Sequence, residues 1–170
     1  MNSIPLHELV PVSACQARLQ DLELELSGTG YVQTRESYQV PLQIEVVAKT
    51  DSTNLRLHFG KGQIILNWEE DPNCFVIHEP VMGHDWKLQG KGGIPINEWV
   101  TVTWIIDRTQ MTVLVNGEER FTFSPDDGLV TLGSGMPWLL ANYIHLSSPI
   151  GVGPAWGSTV TIRSVRVGKV

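Results

Sequence analysis

Apolar residues in this chain recur mainly at every second position rather than at helical spacing. Over 98–123, Val100, Val102, Trp104 and Ile106 alternate with mostly polar partners, the period of a half-buried strand. Residues 107–110 form a short polar turn, after which Met111, Val113 and Val115 resume the alternation. Closing this pair with Ile106 opposite Met111 sets Trp104 against Val113 and Val102 against Val115, so one side is wholly apolar. Asn116-Gly117 tolerates φ > 0 at both positions and predicts a hairpin. A strict two-residue loop would oppose Val113 to Arg120 and mix the faces. A three-residue loop including Glu118 pairs Val113 with Phe121 and Met111 with Phe123, so a bulged turn is expected.

The same pattern predicts further strands. Over 19–26, Leu22, Leu24 and Leu26 alternate with acidic residues, which favours a strand over a helix. Residues 27–30 (Ser-Gly-Thr-Gly) read as a turn, and Leu42, Ile44 and Val46 mark a strand entered at Pro41. A second hairpin carries Leu55, Leu57 and Phe59, then Ile64, Leu66 and Trp68. A turn centred on Lys61-Gly62 pairs Phe59 with Ile64, Leu57 with Leu66 and Leu55 with Trp68, whereas a slip of one residue would set Arg56 against Leu66. The opposite face then carries Asn54 beside Glu69, Arg56 beside Asn67 and His58 beside Ile65. Asp71-Pro72-Asn73 turns the chain into a strand with Phe75 and Ile77 inward and His78 outward. Residues 82–89 read as a loop or short strand, 137–143 as a short helix opened by Pro137, and 151–157 as an irregular lead-in with Trp156 in the core. In the last strand Val160 and Ile162 give way to Val165 and Val167, a change of phase at Arg163-Ser164 that predicts a bulge. Residues 1–18 lack periodicity and read as an irregular N-terminal arm, leaving one β-sandwich domain over 19–170. Many short strands, no internal repeat and hardly any helix give an all-β, two-sheet antiparallel sandwich.

Composition narrows the function. At 170 residues the chain buries roughly two thirds of its unfolded surface and needs no disulfide or metal for stability. A net charge of −6, with basic residues scattered singly, argues against a nucleic-acid partner. No apolar run approaches the length of about 18 residues that predicts a membrane span, so no membrane partner is expected. The first fifteen residues lack a basic region followed by an apolar core, so either a cytoplasmic location or a trimmed chain is expected. Cys15 and Cys74 are too few for a disulfide scaffold and read as free thiols.

A Trp-bearing strand, a short polar turn and a strand ending Val115-Asn116-Gly117 resemble the central hairpin of concanavalin-A-like sandwiches, which include laminin-G-like and galectin-like modules. The resemblance extends over roughly 31–170. It implies a jelly-roll sandwich and a carbohydrate-binding role without naming a sugar.

The candidate ligand-binding residues are Arg56, His58, Asn67, Glu69 and His78 on the outward face, with Trp86 as the ring for a pyranose. Sugar hydroxyls both donate and accept, so planar, fixed side chains such as Arg, Asn, His and Glu suit them, and an aromatic ring suits the apolar C–H face. Trp86, in the polar stretch Gly83-His84-Asp85-Trp86-Lys87, is a poor core candidate; Trp68, Trp138 and Trp156 are the other rings considered. The galectin pattern His-x-Asn-x-Arg is not matched, since Phe59-Gly60 follows His58, and no Trp-x-x-Glu-x-Arg is present, so no β-galactoside specificity is carried over. Glucanases of this fold use Glu-x-Asp-x-x-Glu on one strand; Glu69-Glu70-Asp71 has different spacing, and Asp71-Pro72-Asn73 reads as a turn. His58, His78, His84 and Asp85 show no metal-ligand spacing of a known type, so no cofactor is expected. The leading reading is a non-catalytic lectin-like module binding an oligosaccharide or glycan. Two other classes stand beside it. One is a glycoside hydrolase or polysaccharide lyase on the same fold. The other is a protein-interaction or sensing domain, because 31–67 and Gly153–Val165 resemble sandwich domains attached to bacterial regulators. Sheet edges also offer a homodimer by strand addition.

Overall fold

The computed structural model describes residues 1–79, 84–107, 110–123 and 147–170. In chain order the strands are β1 (Asn2–Ile4), β2 (Val10–Gln20), β3 (Glu23–Gln33), β4 (Tyr38–Gln39), β5 (Leu42–Thr50), β6 (Leu55–Phe59), β7 (Gly62–Leu66) and β8 (Phe75–Glu79). They continue with β9 (His84–Leu88), β10 (Val100–Ile106), β11 (Met111–Val115), β12 (Glu118–Phe123), β13 (Ser147–Ser148), β14 (Ile150–Gly153) and β15 (Val160–Gly168). A 3-10 turn over Leu6–Glu8 is the helical element among the described residues. The expected helix over 137–143, Trp138 with it, lies outside them.

Alternation and turn chemistry act together in β10–β12. Ile106 faces Met111, Trp104 faces Val113 and Val102 faces Val115, as the pattern predicts. Val113 faces Phe121 and Met111 faces Phe123, again as predicted. The extra residue is placed differently from expectation. The loop is the two-residue Asn116-Gly117, with Val115 opposite Glu118, and Arg120 is the residue left over between the Glu119 and Phe121 pairings. The bulge therefore keeps the apolar face continuous from within the strand. The phase change in β15 is likewise a register shift between Ile162 and Ser164.

All the strands but β4 and β13, which pair with each other, form one antiparallel ladder that doubles back on itself as a jelly-roll sandwich. Its order is β12-β11-β10-β5-β15-β3-β14-β6-β7-β8-β9. β14 and β15 follow one another along β3, with Val152 opposite Val32 and Val160 opposite Leu26. β3, backed along its whole length by β2, thus belongs to both layers. It bends where Gly28 and Gly30 take φ of 85° and 123°, and a Cβ at Gly30 would lie 2.2 Å from the Val12 carbonyl oxygen. The segment 27–30 is therefore a kinked strand rather than a turn. The layers meet through apolar rings: Phe59 of β6 packs edge-on against Trp104 of β10, and Phe75 of β8 stacks with Phe121 of β12. Phe59, Phe75 and Trp104 are fully buried, each contributing about 1.5–3 kcal/mol of hydrophobic stabilisation.

Residues 1–18 are not irregular. β1 pairs with β15, Ile4 and Leu9 join the core, and β2 runs through the stretch expected to be an arm. The sequence shows no periodicity there because most of β2 is exposed on both faces.

Candidate functional site

The layer β3-β14-β6-β7-β8-β9 buries one face and presents the other outward. The arrangement of that outward face depends on the β6–β7 turn. Gly60 takes φ 63° as the first residue of a two-residue turn, so Phe59 pairs with Gly62, Leu57 with Ile64 and Leu55 with Leu66. The expected register is corrected by two residues. Arg56 faces Ile65 rather than Asn67, and His58 faces Gln63 rather than Ile65. Gln63 pairs in turn with His78, and His78 with Asp85, so His58, Gln63, His78 and Asp85 form one row across four strands. The row below holds Arg56, Ile65, Val76 and Lys87. Ile65 and Val76 are covered by Trp68 and Cys74 in a second, smaller apolar cluster, with Lys87 Nζ 4.0 Å from the Trp68 ring centroid. Trp68 was expected on the inner face; it leaves the strand after Asn67 and folds over the outer one.

Charged groups at the site are held in pairs. Arg56 Nε and Nη2 donate to Asn54 Oδ1 at 3.0 and 2.7 Å, and Nη2 also donates to Glu69 Oε2 at 3.1 Å. Burial works against the Arg56 charge and Glu69 works for it. His78 Nδ1 pairs with Asp85 Oδ1 at short range. The His58 ring stacks on Tyr31, with centroids 4.1 Å apart and planes inclined by 19°. Burial, helped by the neighbouring Arg56 and His78, pushes the His58 imidazole down to about 3, so it is neutral at ordinary pH. Gln63 Oε1 meets no donor, an unmet acceptor in the middle of the row.

Four of the candidate residues, Arg56, His58, Glu69 and His78, come together on this face. Asn67 does not. Its φ is 49°, it is buried, and its carboxamide is committed: Nδ2 donates to Ile94 O at 2.9 Å and to Ser52 O at 3.4 Å, and Oδ1 accepts from Ile94 N at 2.8 Å. Trp86 lies in β9 opposite Ile77 and packs partly buried against the main core, on the other side of the sheet from Asp85. Neither residue is placed to join the outward array. Trp156, expected in the core, is 73 % exposed.

Tyr31 and Gln63 were missed, and Asp85 was weighed only as a metal ligand. Tyr31 reaches His58 across β14 because Gly151 lies between them. A Cβ at Gly151 would stand 2.7 Å from Tyr31 Cδ2 and 2.9 Å from His58 Cβ. Two glycines at alternate positions, Gly151 and Gly153, were the available signal for such a close approach.

No protein-family model and no curated protein sequence matches the chain. Solved structures match it in fold. The carbohydrate binding module CBM66 from Bacillus subtilis aligns with a TM-score of 0.64 over 95 % of this chain and 96 % of its own, at 10 % identity. Cip1, a cellulose induced protein, gives 0.65 over 87 % and 79 % at 9 % identity. A β-glucanase from Bacillus licheniformis gives 0.61 over 91 % and 82 % at 13 % identity. The chain therefore has the concanavalin-A-like sandwich fold, one shared by a carbohydrate binding module and by glucanases.

Proposed function

We propose that the chain is a non-catalytic carbohydrate-binding module whose ligand lies across the outward face of β6–β9. The observation that carries this reading is the directly paired row His58, Gln63, His78 and Asp85, flanked by the Arg56–Glu69 pair. These are planar side chains, all but Gln63 held in place by a neighbour, and Gln63 offers an unmet acceptor, the chemistry that orients a polyhydroxylated ligand. From Tyr31 to Asp85 the face crosses five strand spacings, about 24 Å at about 4.8 Å each, which suits an extended oligosaccharide better than one sugar. Glycoside hydrolysis by the usual route needs two carboxyl groups across the scissile bond, one of them protonated. Here Glu69 is committed to Arg56 and Asp85 to His78, so neither carboxyl group stands unengaged to flank a glycosidic bond. That pairing supports binding over catalysis.

Affinity electrophoresis and calorimetric titration against soluble glycans test the reading, with Arg56→Ala and His78→Ala as the variants. Loss of about tenfold or more in affinity is expected for each, the scale of removing one partner of a charge-assisted hydrogen-bond pair. Undiminished binding in both variants refutes the site. Release of reducing ends from the same glycans would replace binding with catalysis.

A further inference from the structure

Every other described Trp, Tyr and Phe side chain is buried or half-buried, whereas Trp156 stands out into solvent. It sits in a tight turn from Ala155 to Ser158 in which both central residues are left-handed, Trp156 at φ 54° and Gly157 at φ 82°. The turn is closed by Ser158 N donating to Ala155 O at 3.1 Å. It is pinned again by the Ser158 hydroxyl, which donates to Ala155 O at 2.8 Å and accepts from Ala155 N at 3.1 Å. Ser158 is itself buried, so the base of the turn is fixed and the indole is projected. Asn, Asp or Gly is the usual occupant of such a position; a bulky ring there strains the backbone and covers no core. A residue that breaks the local rule without a packing gain marks a functional position.

The turn is tied to the polar face. Asn54 Nδ2 donates to Ala155 O at 3.4 Å, while Asn54 Oδ1 accepts from Arg56, and β14 ends at Gly153 opposite Arg56 itself. Trp156 therefore borders the Arg56–Glu69 end of the array. The basic side chains of that array are already engaged: Arg56 with Glu69, His78 with Asp85, and Lys87 over Trp68. An anionic glycan would have to displace one of these partners, whereas an uncharged one need not.

We propose that the ligand is an uncharged polysaccharide chain and that Trp156 is the ring on which one of its pyranose units stacks. This rests on the carbohydrate-binding reading above and adds the ligand's charge class and a specificity-determining residue outside the strands.

The test uses the full chain in affinity electrophoresis. The neutral probes are soluble mixed-linkage β-glucan, xylan and galactomannan; the charged probes are polygalacturonate and chondroitin sulfate. At least one neutral chain should bind, with an affinity little changed between 50 and 500 mM salt. Trp156→Ala should lose about tenfold or more, Trp156→Phe should keep most of the affinity, and both should melt at or above the wild-type temperature. Wild-type affinity in Trp156→Ala with loss in Arg56→Ala overturns the stacking role and leaves the polar-face site standing. Binding confined to the charged chains overturns the neutral class. Absence of binding to every probe overturns both this inference and the carbohydrate-binding reading. Self-association that Trp156→Ala abolishes, without any change in glycan affinity, assigns the ring to a protein contact and refutes the proposal.

Discussion

Replacing Asn67 by Ala separates a binding role from a structural one. The carboxamide is the partner of both the Ile94 N–H, at 2.8 Å, and the Ile94 C=O, at 2.9 Å, and Ile94 is buried. The backbone of Asn67 also accepts from Asn54 N at 2.7 Å, so two left-handed asparagines sit opposite each other at the base of the β6–β7 hairpin. Truncation leaves the two Ile94 backbone groups unmet, at about 1–3 kcal/mol each, frees the carbonyl of exposed Ser52 to water, and places Ala in a left-handed conformation for about 1 kcal/mol more. The sum is roughly 3–7 kcal/mol. A cleft lined by Asn67, Asn73, Ile94 and Ile96 adjoins the site, and water entering it would satisfy part of the loss, so the lower end, about 3–4 kcal/mol, is expected. That is a large share of the roughly 5–15 kcal/mol that holds a domain together. Urea unfolding followed by tryptophan fluorescence measures it, with an unchanged slope expected. Asn67→Gly should be about 1 kcal/mol less damaging than Asn67→Ala, because it removes the same hydrogen bonds without the backbone strain. Glycan affinity of the folded fraction should match wild type. An Asn67→Ala stability within about 1 kcal/mol of wild type, or a selective loss of glycan binding, would refute the clamp.

Gly151→Ala forces the Tyr31 ring away from His58, costing about 1–3 kcal/mol and removing the stack; an unperturbed Tyr31 environment by NMR would contradict the close approach. Tyr31→Ala lets water reach His58, so its titration, followed by NMR, should rise from about 3 toward the ordinary imidazole value near 6.5; an unmoved titration would mean that Tyr31 is not its cover. Because folded His58 takes its proton only near 3 and the unfolded chain takes it near 6.5, its contribution is fully present above about pH 6.5. It is lost as pH falls toward 3, at up to about 1.4 kcal/mol per pH unit. His58→Gln should flatten stability over that window, and parallel pH profiles for the two proteins would exclude His58 as the source.

Local chemistry made half of this molecule legible in advance. In β10 and β11 the apolar alternation and the turn length agree, so Trp104 against Val113 could be read directly, and the later pairing of Val113 with Phe121 followed from face continuity alone. The β6–β7 hairpin shows where that logic ends. Alternation excludes a slip of one residue, which would exchange the faces, but a slip of two preserves every face. The pattern therefore placed Arg56 and His58 outward without choosing their neighbours; the backbone of Gly60 chose them, and with them the row His58, Gln63, His78 and Asp85.

Long-range partners decided the remainder. Asn67 looked like a surface amide until Ile94, twenty-seven residues on, closed over it. Tyr31 lies on a strand separated in sequence from His58, and only the glycine-lined β14 between them lets the rings meet. Trp86 was read as a loop ring and Trp156 as a core ring. A period of two tells which residues share a face, whereas exposure depends on what other segment covers that face, a property of the assembled sheets rather than of any one strand. The sequence by itself thus determined the fold class and, Trp68 apart, the inner faces of the strands it marked. The structure alone decided the β6–β7 register, the Trp156 projection and the membership of the candidate site.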